Sequence, residues 1–142
     1  MDINYREIAE KAIIFAKTFD VRLDYTTQSI QKVDELLGTY FEHMNEYDGD
    51  SGENTLWNIA VHFGIYIGET LLKNGLAEMG FKWFVRDSLP ILRNDLKNTE
   101  CSPITKAHKR ILNGPEDSVV SFYNVSFVVA RGELKSKDRR TD

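Results

Sequence analysis

His62 and Glu69 are the one acid–base pair that helical spacing places on a single surface of this chain. Seven residues span nearly two helical turns, so the two side chains stand about 10 Å apart along the axis. At that distance they cannot share a proton directly. A substrate or water chain between them would make them the general acid and base of a small cleft. Asn58, Tyr66 and Lys73 fall on the same surface, which suits equally a polar stripe along the edge of a buried helix.

Other constellations fail on their spacing. Ser29 and Lys32 have the separation of a serine–lysine nucleophile pair, but the companion motifs of that class are missing. The run from Asp48 to Glu53 begins like a calcium loop, yet its fifth position is Gly52 and its twelfth is Ile59, so no EF-hand is expected. There is no phosphate-binding glycine loop, dinucleotide fingerprint or HExxH. His43, His62 and His108 are scattered and Cys101 is the lone cysteine, so neither a metal centre nor a disulfide is expected, and no cofactor is implied.

The elements that would position these residues can be read from periodicity. Apolar residues from Ile8 to Phe19 predict a helix over 3–18, and Ile30 to Met44 predict a second over 27–46, capped by Asp24 or Thr26. The acidic run 46–54 reads as a turn-rich loop. A central helix over 54–73 follows, stopped by Gly75. It carries Gly64 and Gly68, each costing about 1 kcal/mol relative to Ala. Together with Ala60 they form a small-residue stripe suited to close helix packing. The period then shortens to two around Trp83, and Asp87–Ser88 separates this strand from another whose Pro90 suggests an edge position or an irregular start. Pro103 opens a helix that Asn113–Gly114 closes, and Pro115–Asp117 starts a last one. Its β-branched body allows a strand, but Val119, Phe122, Tyr123 and Phe127 keep helical spacing. Trp57 and Trp83 are both assigned to the core. The expectation is one α+β domain over 1–132, mainly helical, with a small antiparallel hairpin or sheet at about 80–96 between N- and C-terminal helices. A charged flexible tail is expected at 133–142.

Charge is unevenly spread. Residues 1–79 hold 14 acids and 6 bases, a balance of −8, while residues 80–142 hold 8 acids and 12 bases, a balance of +4. No Lys or Arg occurs between Lys32 and Lys73. Within that interval Glu42, Glu46, Asp48, Asp50 and Glu53 form a candidate surface for a basic protein partner. Lys106, Lys109 and Arg110 gather on one helix, but without the interleaved aromatics of RNA-binding modules, so no nucleic-acid role is expected. The N-terminal segment lacks the charge and apolar continuity of a signal peptide or membrane span, and a cytoplasmic chain, monomeric or homodimeric, is expected.

The run Gly64-Ile-Tyr66-Ile-Gly68-Glu69, with Trp83 on a strand and Pro103 to Lys109 opening a later helix, resembles small uncharacterised bacterial domains with a G-x-Y-x-G-E helix. The resemblance covers about residues 20–130 and implies no established reaction. By analogy with such small proteins, it suggests a partner or immunity factor of a secreted toxin. Two readings result: a non-enzymatic binding module using its acidic surface, or a small enzyme using His62 and Glu69. A structural dimer module, joined by the hairpin edge or the glycine stripe, is a third.

Overall fold

The computed structural model describes residues 2–132, and the expected tail at 133–142 lies outside them. Helix α1 spans Tyr5–Lys17, with the Asn4 side chain accepting the Glu7 N–H at 3.0 Å. Its buried face is Ala9, Ala12 and Ala16, a row of small side chains that lets the central helix pack closely. Helix α2 spans Thr27–Glu42. The Thr26 hydroxyl caps it by accepting the Ser29 N–H, and in turn donates to Asp24 at 2.6 Å. Both candidate capping residues are therefore used, one directly and one as its support.

The predicted extension of α2 to residue 46 does not hold. His43 leaves the helical region (φ −118°, ψ 25°), and a tight 3₁₀ turn follows at Met44–Tyr47. Nor is the acidic run 46–54 a loop throughout: helix α3 begins inside it and spans Gly49–Leu71. Extended Asp48 forms its N-terminal boundary, and Asp50 lies in its first turn, where the helix dipole favours a carboxylate. Gly52, a poor helix former, is required because any Cβ there would collide with the Tyr47 backbone.

Helix α3 widens at Leu72–Leu76 and ends where Gly75 takes φ 150°. Strands β1 (Lys82–Arg86), β2 (Leu89–Asn94) and β3 (Thr99–Cys101) form an antiparallel sheet in the order β1-β2-β3. Asp87 and Ser88 both have positive φ, as a two-residue hairpin turn requires. β2 is the central strand, so of the two readings of Pro90 the edge position fails, and the proline stands instead as the second residue of the strand. Pro90 is tolerated because β3 pairs only with Leu92, Arg93 and Asn94, beyond the proline. Helix α4 spans Pro103–Asn113, a 3₁₀ turn occupies Gly114–Asp117, and helix α5 spans Val119–Ala130. The last helix thus starts later than the Pro115–Asp117 start expected, those residues forming the 3₁₀ turn instead, with Ser118 accepting the N–H groups of Val120 and Ser121. The fold is the mainly helical α+β domain expected.

Helix α3 occupies the centre, burying Phe63, Ile65, Tyr66, Ile67 and Leu71. Its Ala60–Gly64–Gly68 stripe is covered by α4 and by the Trp83 ring, so it is not free to join two copies. Trp83 is half-buried, packed against the core and stacked on Tyr5 at 4.5 Å between ring centroids. Trp57, also assigned to the core, is not: it is 39% exposed and meets His108 edge-on at 5.1 Å. Trp57 lies in the N-terminal half of α3, where burial is confined to the Leu56 and Ala60 side.

Candidate functional site

The acid–base pair is separated by its surroundings as well as by its spacing. His62 Nδ1 lies 2.8 Å from the Asn58 carbonyl, and the ring lines a hollow of about 330 Å³ between α1 and α3 with Lys11, Phe15 and Ile59. Glu69 does not line that hollow. Its carboxylate instead accepts the Trp83 indole N–H at 2.8 Å. An acid committed to an indole, with no shared cleft beside His62, supports a packing role for Glu69. Ser29 and Lys32 are likewise divided: the Ser29 hydroxyl donates to Thr26 O at 2.6 Å, while Lys32 Nζ donates to Arg22 O at 3.2 Å. Burial pushes the Cys101 thiol up to about 12, which keeps it neutral and a poor nucleophile at physiological pH. No group of three or more potential metal ligands occurs among the described residues.

The G-x-Y-x-G-E run is a structural device in its details. Gly64 and Gly68 admit α4 and Trp83. Tyr66 is fully buried, and its hydroxyl accepts the Tyr25 N–H at 2.8 Å and bonds Ser29 Oγ at 2.7 Å. Since Ser29 spends its proton on Thr26 O, the Tyr66 hydroxyl is the donor to Ser29. This fixes Tyr25 at φ 63°, an unfavourable conformation for a bulky residue. Tyr66→Phe is therefore expected to lower stability by about 1–3 kcal/mol through an orphaned N–H. Urea unfolding measures the loss, and an unchanged midpoint would refute the role.

A larger concavity lies elsewhere, along α2. A groove of about 590 Å³ has Leu36 and Tyr40 on its floor, Phe19 and Arg22 on its side and Glu46 and Tyr47 at its end. Its volume falls within the range of about 300–1,000 Å³ typical of ligand sites. The lining residues on α2 recur every three or four positions from Lys32 to His43, so one helix face forms the floor. The opposite wall is the segment 19–22, turned back along α2 after Asp20, which has φ 60°. Phe19 is 56% exposed at the lip. Tyr40 and Tyr47 lie 5.7 Å apart, and burial, reinforced by Tyr47, pushes the Tyr40 hydroxyl up to about 12. Of the acidic surface read from the sequence only Glu46 lines this groove, joined by Lys32 and His43 from constellations that fail on their spacing; Phe19 and Tyr40 gave no signal beyond ordinary apolar periodicity, and Tyr47 falls in the run expected to be a loop.

Glu42, Glu46, Asp48, Asp50 and Glu53 are all exposed, and their carboxylates make no ion pair among the described residues. Their local settings differ. Asp48 and Asp50 stand at the boundary and first turn of α3, where negative charge is favourable, and Glu53 follows just beyond that turn. Glu42 ends α2 and Glu46 follows in the 3₁₀ turn, and no basic residue lies in the last turn of α2. Negative charge there adds to the negative end of the helix dipole, so fold stability does not account for these two acids.

Against protein-family models, curated proteins and solved structures, the chain finds no match. No helix among the described residues is long and apolar enough to cross a membrane.

Proposed function

We propose that this protein is a non-enzymatic binding module whose acidic end, centred on Glu42 and Glu46, receives a basic protein partner. The observation that carries the reading is the placement of these two acids, unpaired among the described residues, at the C-terminal end of α2, beside a groove with Tyr40 and Tyr47 in its lining. Asp48, Asp50 and Glu53 extend the same sign of charge and would steer encounter more than they hold the complex. On the analogy carried by the G-x-Y-x-G-E resemblance, the partner is a toxin and the module an immunity or antitoxin-like inhibitor of the cytoplasm.

Charge reversal tests the site without threatening the fold. In the double variant E42K/E46K, lysines replace acids at a helix C-terminus, so stability should hold or rise by a few tenths of a kcal/mol. The partner captured from an extract by the wild-type chain should be basic. Once it is purified, calorimetry should find its affinity at least tenfold weaker for the variant and falling steeply with salt. Equal affinity for both chains would overturn the proposal.

A further inference from the structure

We infer that the groove along α2 takes an α-helical segment of the partner, lying antiparallel to α2. This rests on the reading just proposed and names what docks there. The floor from Lys32 to His43 is about 16 Å long, the length of three helical turns. Its backbone amides and carbonyls are engaged within α2, so the floor offers no strand edge for an extended peptide to pair with. Affinity must therefore come from side chains. The groove mixes apolar side chains with charged ones, and a helix meets it with apolar residues spaced i, i+4 and i+7 against Phe19, Tyr40 and Tyr47 and with polar positions against Lys32, Glu35 and Thr39.

Charge sets the direction. At the end of the groove, Glu46 sits with nearby Glu42 and the negative end of the α2 dipole. The other end carries both signs, Asp20 and Glu35 against Arg22 and Lys32, and imposes no polarity of its own. The positive N-terminus of a docked helix thus belongs beside Glu46, with Lys or Arg in its first turn facing Glu42 and Glu46. Phe19 at the lip is the exposed aromatic that such a helix would cover.

Selection of displayed random peptides of about 16 residues on the full chain tests this. Enriched peptides should show apolar residues at i, i+4 and i+7, with Lys or Arg near the N-terminal end. Their affinity should fall at least tenfold on the exposed-site variants Phe19→Ser and Thr39→Arg, and equally when a central proline is placed in the peptide. Urea midpoints of both variants, matched to wild type, separate lost docking from lost fold. Groove-dependent binders that tolerate the proline would overturn the helix while leaving the acidic-end reading intact. Binders indifferent to both groove variants but lost in E42K/E46K would overturn the groove alone. Helical binders indifferent to E42K/E46K would sink the acidic-end reading and the antiparallel direction with it. Failure to enrich any groove-dependent peptide would overturn the inference outright.

Discussion

Asp34→Ala is expected to lower the unfolding free energy by about 3–5 kcal/mol, the cost of leaving a buried charge without its partner. Asp34 and Arg110 join α2 to α4, with Arg110 Nε donating to Asp34 Oδ1 at 3.1 Å and side-chain exposures of 14% and 8%. The same carboxylate oxygen accepts the Val119 N–H at 2.9 Å, tying in the first turn of α5. Arg110 Nη1 is buried with no hydrogen-bond partner among the described residues, so the guanidinium already lacks one of its bonds. Removing Asp34 would strip its counter-charge as well. Against a typical domain stability of about 5–15 kcal/mol, such a loss is a large fraction of the total. Asp34→Asn should cost less, because the amide oxygen can still receive the Val119 N–H. Replacing both partners with apolar residues, D34L/R110M, should recover much of the loss. Urea denaturation of the four chains measures this, and an Asp34→Ala loss below about 1 kcal/mol would place the pair with weak surface ion pairs.

The sequence carried no sign of this ion pair, because Asp34 and Arg110 are 76 positions apart. Spacing alone gathers Arg110 with Lys106 and Lys109 on one basic face, yet Arg110 is buried and Lys106 pairs with Asp117 at 2.8 Å. Gly38 is its one local trace: a Cβ there would lie 2.6 Å from Arg110 Nη2, so the glycine makes room for the guanidinium. Helix positions were legible because long amphipathic periods are local. β3 was not, since Thr99–Cys101 is too short to show alternation. The start of α3 was hidden by Gly49 and Gly52, whose low helix propensity is outweighed by the boundary at Asp48 and packing against the 3₁₀ turn. The acidic interval was plain from composition alone. The groove was not, because its two walls meet only through the reversal of the chain between α1 and α2.

Gly64→Ala reverses the usual rule for helices. At an open helical site this change adds about 1 kcal/mol of stability through propensity alone. Here the new Cβ would stand 2.5 Å from the Ile104 Cα and 2.9 Å from its nitrogen, both backbone atoms of α4. A rotamer change cannot relieve that contact, so α4 must shift away from α3 and loosen the packing around buried Ile104 and Ala107. The expected net result is a loss of about 1–3 kcal/mol despite the propensity gain. Gly68→Ala fails differently. Its Cβ meets the Trp83 ring, a side chain that can move, but only by giving up its Tyr5 stacking and its bond to Glu69. With Trp57 replaced by Phe, Trp83 is the sole tryptophan, and its emission should shift in Gly68→Ala and much less in Gly64→Ala. Stabilisation by Gly64→Ala would mean that α4 accommodates the methyl without strain, and the small-residue stripe would lose its reason for being glycine.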